Sequence, residues 1–509
     1  MTYLRLFPVP CLSRSPHRRA VILRKGRGGS RRRRICGCFS TNFGCATLAL
    51  AVCGFLSGCM MGPNYHRPAV NVPPIYRGQP ASSSPQPSVA SLGNERWWTV
   101  FRDPVLQQLI RTALKQNFDL RIAATRVLEA QAEVGITRSN EFPTASVGAQ
   151  AFSQNFPVIS SVFPSFQETG GELDLSAIWN LDFWGKYRRE TQAARDQLLA
   201  TEWGRQEVIA SVVSSVAADY FQLRELDLAL AISQRTLASR QDSLRLTRVL
   251  EVHGSASQLD MRQAEELVDT AAEQIPALER QIQQEEDAIS VLLGQNPGPI
   301  ARGLKLTAEP LPATVPAGLP SELLDRRPDI REAEANLMAA NADIGAAKAD
   351  FFPNIALTGT GGLESYALNR LFTFNTSSAV WNGAASVTQP IFEAGALRSG
   401  LKLVRAQEEQ MVLSYKQTII DAFQQVSDAL IAYQKDREFR QQQEKLTSAA
   451  ADADRLSQVL YQHGGASYLQ VLTSDTNYFA AELNLAQAEL NERLALVQLY
   501  NALGGGWQQ

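Results

Sequence analysis

Few residues of this 509-residue chain are of a type and spacing that could do chemistry, and Cys59 is the first. It closes the run Leu56-Ser57-Gly58-Cys59, behind the basic block at 31–34 and an apolar stretch from Cys45 to Leu56. That order reads as a secretory n-region, an h-region and a lipobox, where small residues admit a peptidase and the cysteine thiol receives a diacylglyceryl group. The plainer alternative is an ordinary signal peptide with an incidental cysteine. The second candidate is the pair His253 and His463, each followed by a glycine. Imidazoles ligate metals, but two histidines without further ligands make a poor site. A helix end explains them better, because Gly254 and Gly464 suit the left-handed C′ position and a histidine in the last turn favours the helix dipole. Ser257-x-x-Asp260 and Ser467-x-x-Gln470 then read as capping boxes opening the next helices, the first with Asp in place of the usual Glu or Gln. No enzyme signature stands beside these residues, and no metal or cofactor is called for.

Composition narrows the classes further. All six cysteines lie within the first 59 residues, so the body has no disulfide framework and no thiolate metal site. The first 58 residues carry eleven Lys/Arg and no Asp/Glu; the remainder holds 38 basic against 51 acidic residues, a net charge of −13. A polyanion of that kind is a poor nucleic-acid binder. Met60 follows the lipobox, not the Asp that retains such lipoproteins in the inner membrane, so sorting to the outer membrane is expected. The stretch before Arg31 exceeds a normal n-region and points to an over-extended start, although the arginine run also admits a twin-arginine reading.

The elements that must position these residues occur twice. Set against each other at an offset of 210 residues, Asp119/Asp329, Arg121/Arg331, Ala130/Ala340, Gly135/Gly345 and Pro143/Pro353 are identical pairs. The same offset pairs Arg245-Leu246 with Arg455-Leu456, His253-Gly254 with His463-Gly464, and Gly294 with Gly504. A constant offset over this length implies a duplicated structural unit, which a catalytic pocket does not require.

Along the chain, residues 1–58 read as the signal peptide and 59–94 as a lipidated, Pro- and Ser-rich extended arm. The first repeat is expected over 95–296, a proline-rich linker over 297–320 and the second repeat over 321–509. Asp103-Pro104 supplies an N-cap and a first-turn proline, and a second helix is expected from Asp119 to Glu141. Strand periodicity follows, with Leu173, Leu175, Ala177, Trp179, Leu181 and Phe183 on one face. Val147, Ala149 and Ala151 alternate in the same way, and Ile355–Gly359 and Trp381–Gln389 repeat the pattern more weakly. Lys186 to Val252 and Leu401 to His463 are each a candidate helix on the order of 90–100 Å long, which suggests a coiled coil. In the next helix Pro276 should introduce a bend.

The mature chain has no apolar run long enough for a membrane-spanning helix. It has four strand segments of spanning length, which cannot close a barrel alone, and an open sheet edge in lipid is costly. Three chains would supply twelve strands, within the range of outer-membrane barrels. Trp179, Phe183, Trp184, Phe352, Trp381 and Phe392 flank these segments as an interfacial belt would, with aromatic packing at the helix–strand junctions as the alternative.

At this point the residues match a family. Trp97-Trp98-Thr99-Val100-Phe101-Arg102-Asp103-Pro104-Val105-Leu106 resembles the opening motif of the outer-membrane factors of tripartite efflux systems. Leu319-Pro320-Ser321-Glu322-Leu323-Leu324-Asp325-Arg326-Arg327-Pro328-Asp329-Ile330 looks like the motif opening their second repeat, and Gly62-Pro63-Asn64-Tyr65-His66-Arg67-Pro68 is similar to their mature N-terminus. The resemblance is to the OprM/NodT-like branch of the TolC superfamily and runs from Cys59 to the C-terminus.

It implies a mainly α protein with a transmembrane β-barrel: a homotrimer sharing a twelve-stranded barrel fused to a long α-helical barrel. Such a trimer would be anchored in outer-membrane lipid, extend into the periplasm, and serve as a passive exit duct for drugs or other small molecules. A periplasmic adaptor and an inner-membrane RND-type pump would be its partners. The resemblance also implies that the two hairpin tips close the periplasmic mouth and meet the adaptor. They hold His253, Gly254, Ser257, Asp260, His463, Gly464, Ser467, Gln470, Thr473 and Asp475. Related channels often carry an Asp at the position of Thr473 or Gln470; this chain has neither, although Asp260 and Asp475 lie nearby. Two rivals remain, the exit duct of a type I protein secretion system and a lipid-anchored periplasmic coiled-coil scaffold without a pore.

Overall fold

The duplication reaches the ends of individual helices. In this computed structural model, residues 60–78, 91–157, 166–308, 311–312, 315–372 and 378–507 are described. Cys59 and the signal segment lie outside them. The helices are α1 (Trp97–Val100), α2 (Pro104–Gln116), α3 (Phe118–Ser139), α4 (Lys186–Val252), α5 (Gln258–Leu292), α6 (Pro320–Arg326), α7 (Pro328–Ala349), α8 (Ala396–Gln462) and α9 (Tyr468–Ala502). The pairs α3/α7, α4/α8 and α5/α9 start and stop 210 residues apart at both ends.

Local chemistry sets those limits. The two 67-residue helices, α4 and α8, each begin after a left-handed glycine, Gly185 at φ +76° and Gly395 at φ +89°. The expected helix from Asp119 starts one residue earlier, because the Asn117 side chain accepts from the Leu120 N–H and caps it there. It stops at Ser139, two residues short of Glu141. The expected helix from Leu401 begins at Ala396 and runs through Gly400. α5 runs through Pro276.

The short helices abut the ends of longer ones, so that two breaks look alike. Asn117 Nδ2 donates to the Leu292 carbonyl at 2.9 Å, and Arg327 Nη1 to the Ala502 carbonyl at 2.9 Å. Positions 117 and 327, and 292 and 502, are again 210 apart. In each case a side chain satisfies one of the orphan carbonyls of a finished helix. Each repeat therefore contributes one unbroken helical column and one interrupted column. Beside the strands the helices pack in the order α3, α4, α7, α8; towards the tips α4 instead meets α5 and α9, and α9 meets α8.

Where the columns are interrupted lies the main core, which includes Phe101, Ile110, Val213, Tyr220, Ile330, Tyr415 and Tyr500. The sequence motif at 97–106 belongs to it. Asp103 is buried, takes the Val105 N–H at 2.8 Å, and accepts from Tyr220 Oη and the Leu304 N–H at 2.7 Å each. Its carboxylate thus caps α2 and ties it to α4 and to the segment joining the repeats.

The strands β1 (Thr144–Phe156), β2 (Phe166–Leu181), β3 (Asn354–Ser365) and β4 (Ala379–Thr388) form one antiparallel sheet in the order β1-β2-β3-β4. Register separates its faces. Val147 lies opposite Leu175, Ala149 opposite Leu173, Trp179 opposite Leu357 and Leu173 opposite Leu363. Ser146/Ser176, Gln150/Glu172, Asn180/Ala356 and Asn382/Thr360 fall on the other face. One face is apolar over most of its length, turning polar at Ser153/Thr169 and Asn155/Gln167 farthest from the helices, and the other is mostly polar, as strand alternation allows. Within the chain, β1 and β4 each pair on one side only.

Candidate functional site

The two tips, between α4 and α5 and between α8 and α9, share one turn. His253 ends α4 and His463 ends α8, and Gly254 (φ +74°) and Gly464 (φ +73°) follow in the left-handed conformation. Ser255 N–H bonds the Leu250 carbonyl at 2.8 Å and Gly254 N–H that of Glu251 at 2.9 Å; Gly465 and Gly464 do the same to Leu460 and Tyr461 at 2.7 and 3.0 Å. These paired bonds define a Schellman motif at each tip. Histidine Nδ1 lies 2.7 Å from the Val249 carbonyl in one and 2.8 Å from the Val459 carbonyl in the other. A carbonyl only accepts, so Nδ1 carries the proton and each imidazole acts as a C-terminal cap.

Beyond the turn the tips differ. Ser257 and Asp260 form the expected capping box: Asp260 N–H donates to Ser257 Oγ at 3.1 Å, and Ser257 N–H to Asp260 Oδ2 at 2.9 Å. The box expected at Ser467 and Gln470 is not formed. Gln470 N–H is already taken by the Ser467 carbonyl at 3.1 Å, so the Ser467 side chain makes no capping bond. In its place the rings of Tyr461 and Tyr468 pack at 5.3 Å across the turn. Thr473 is exposed, its hydroxyl donating back to the Leu469 carbonyl at 2.8 Å.

Asp475 is turned inward. Its Oδ2 accepts from Arg240 Nε at 2.7 Å. Arg240 is 3% exposed, donates through Nη1 to the Leu267 carbonyl at 2.9 Å, and lies 4.9 Å over the Phe479 ring. One guanidinium therefore ties α4, α5 and α9 together. Burial pushes the Asp475 carboxyl up, against the lowering effect of the Arg240 charge and hydrogen bond. Arg240 carried no sequence motif. The signal that would have found it is an arginine in the buried stripe of α4, in series with Ser233, Thr236 and Thr247.

At the opposite end of the long helices, Trp184 stacks on Phe352 at 4.8 Å and donates to the Pro353 carbonyl at 2.9 Å, which is junction packing. Trp381 and Phe392 are 84% and 87% exposed. The arm reaches this same level. Met61 N–H donates to the Trp184 carbonyl at 3.1 Å, and Arg189 Nε to the Met61 carbonyl at 3.0 Å. Farther along the arm, Arg67 forms a 2.5 Å ion pair with the buried Glu334 of α7.

Set beside known proteins, the chain matches the family model described as "Outer membrane efflux protein" over residues 109–295 and 319–505. It is 37% identical over 470 residues to the "Probable efflux pump outer membrane protein TtgC" of Pseudomonas putida, covering 91% of this chain and 96% of that one. It is 36% identical over 471 residues to the "Cation efflux system protein CusC" of Escherichia coli, covering 91% and 99%. Among solved structures, the open state of the MtrE outer membrane channel of Neisseria gonorrhoeae superposes with a TM-score of 0.80 at 31% identity, over 88% of this chain and 99% of that one.

Proposed function

Since the chain belongs to the outer membrane efflux protein family, we propose that it is the outer-membrane exit duct of a tripartite system that carries drugs or other small molecules, through a periplasmic adaptor, from an inner-membrane RND-type pump. The fold is that of the TolC-like trimers, and the protein is an efflux channel of the outer membrane. The observation that carries the reading is the sheet. Its apolar face, its mostly polar face and its two half-paired edge strands fit a wall segment with lipid on one side and water on the other. Three copies joined from β4 to β1 give twelve strands, and joining α8 to α3 closes the helical ring in step.

The arm supports a lipid anchor at Cys59. Met61 is bonded beside the junction where β2 gives way to α4, the level of the periplasmic membrane surface in this reading. An acyl chain on Cys59, two residues before Met61, would add to the hold of the barrel. Cys59→Ala should abolish labelling by a radioactive fatty acid while the trimer persists.

The tips support the adaptor contact. Leu246, Val249 and Leu259 are exposed in the first repeat, and Leu456, Val459 and Leu469 in the second, all at the shared offset of 210. Apolar residues held outward around a rigid turn, at matched positions in both repeats, fit docking against another protein. His253, Gly254, Ser257 and Asp260 shape one such tip; His463, Gly464, Ser467, Gln470, Thr473 and Asp475 shape the other. The test is planar-bilayer recording of the purified protein: discrete conductance steps support the duct, and a silent bilayer with intact trimers contradicts it.

A further inference from the structure

The two hairpins of the sheet end at different heights. β1 and β2 stay paired as far as Phe156 and Phe166, whereas the pairing of β2 with β3 stops at Gly171 and Ser365. From Leu181 to Gly171 the strand advances ten residues. At about 3.3 Å per residue and a tilt of about 40°, that is about 25 Å of height, the depth of the apolar band of an outer-membrane barrel. At this edge the chain folds back. Ser365 Oγ donates to the Ala367 carbonyl at 3.0 Å, and the Arg370 N–H donates to the same carbonyl at 2.8 Å. A Cβ on Gly171, which would point to the apolar face, would lie 3.0 Å from Leu368 Cδ1 and 3.1 Å from Leu371 Cδ2. The glycine therefore leaves the seat on which both leucines rest. Among the described strand residues only Gly170, Gly171 and Leu363 are buried, so the segment covers the sheet at this level and not elsewhere.

What covers the apolar face is itself apolar on its outer side. Tyr366 and Phe372 are 66% and 67% exposed, and Leu368 is exposed between them. Charge is sorted in the same sense. Glu168, Glu172, Asp174 and Glu364 all lie on the mostly polar face. Arg370 is the only Lys or Arg in residues 144–181 and 354–388, and it is exposed in the segment that folds over the apolar side. We propose that residues 366–372 form a foot set in the outer leaflet of the membrane. Tyr366, Leu368 and Phe372 enter the boundary between acyl chains and headgroups, where rings that are apolar on one side and wet on the other are favoured. Arg370 meets a phosphate of an acylated, phosphorylated glycolipid, whose oxygens match its planar fork. The foot continues the lipid-facing band, and three of them fix the height and tilt of the trimer. This rests on the outer-membrane duct described above.

The test places a polarity-sensitive fluorophore on one introduced cysteine at a time, in trimers held in nanodiscs of phosphatidylcholine and lipid A, with the unsubstituted trimer as the blank. Leu368→Cys and Phe372→Cys probe the foot, Leu175→Cys the middle of the apolar band and Asn155→Cys the polar end beyond it. Labels on the foot and at Leu175→Cys should be quenched by aqueous iodide about fivefold less than the label at Asn155→Cys, since a bare ion enters hydrocarbon only at high cost. If either foot label is quenched as fast as Asn155→Cys while Leu175→Cys stays shielded, the foot is overturned and the duct stands. If Leu175→Cys is open to iodide as well, the sheet is not in lipid and the duct reading falls with the foot. Lipid A retained by the trimer, counted by native mass spectrometry, should drop about fivefold in Arg370→Gln with conductance unchanged. Undiminished retention overturns the phosphate contact.

Discussion

The first hairpin tip and the second are built from the same turn and finished in different ways. Both end a 67-residue helix on a histidine, place a glycine at positive φ, and close with the same pair of backbone bonds. Then the first caps its next helix with Ser257 and Asp260 and shows charge to its surroundings. The second leaves Ser467 uncapped, packs Tyr461 on Tyr468 and turns Asp475 inward onto Arg240, so that its α9 shows no exposed charge while Asp452 and Arg455 of α8 stay exposed. What the fold needs has stayed double: reversing the chain at the end of a long coiled coil requires a left-handed residue and two satisfied carbonyls. What differs is how each hairpin meets its neighbours. Position 450, the counterpart of Arg240, is alanine, and position 265, the counterpart of Asp475, is a glutamate in partly exposed pairs with Arg248 and Arg262.

The sharpest break between the tips should come from the buried tie. Arg240→Ala leaves the partly buried Asp475 carboxylate without its charged hydrogen-bond partner, a loss of about 1.5–3 kcal/mol. Hydrogen exchange should accelerate in the first turns of α9 far more than at the first tip. The matching change, Arg248→Ala, removes a pair that water already screens and should cost about 1 kcal/mol or less. Equal effects would mean that the tie is not what distinguishes the second hairpin.

Next in size, Gly254→Ala and Gly464→Ala should each cost about 1–2 kcal/mol of local stability, the penalty for a Cβ in the left-handed region. No atom lies within 4 Å of the added carbon at either site, so backbone strain is the only term and the two costs should agree. Chemical denaturation of each hairpin, followed by exchange of its turn amides, gives the comparison. A much larger cost at one tip would show that its turn is packed against something the other lacks.

The smallest effect separates the caps. Ser257→Ala should cost about 1 kcal/mol through the lost capping bond, and Ser467→Ala close to nothing. Thermal fraying of α5 and α9 measures both.

Much of this was legible in the residues. The offset of 210 announced a duplicated unit, and the glycine- and proline-poor stretches gave α4 its limits to the residue. Alternation gave the strand faces, and Gly254 and Gly464 were readable as left-handed caps because few other residues tolerate that φ. The Ser467 box was not legible, since the same four residues also form a tighter first turn, and the choice depends on backbone geometry. Arg240 was hidden for another reason. A lone arginine on a long helix usually faces water, and only the meeting of α4, α5 and α9 buries it. The absence of exposed charge on α9 emerges only once burial separates its surface from Asp475, Glu482, Glu489, Glu492 and Arg493.

The claim beneath all of these comparisons is that three chains close one channel, because neither the four-stranded sheet nor the row of helices closes in a single chain. The most direct test is the mass of the native species in mild detergent, measured by light scattering alongside its β-sheet content by circular dichroism. A monodisperse particle of three chains with full strand signal is the predicted result. A monodisperse monomer with the same strand signal would contradict it.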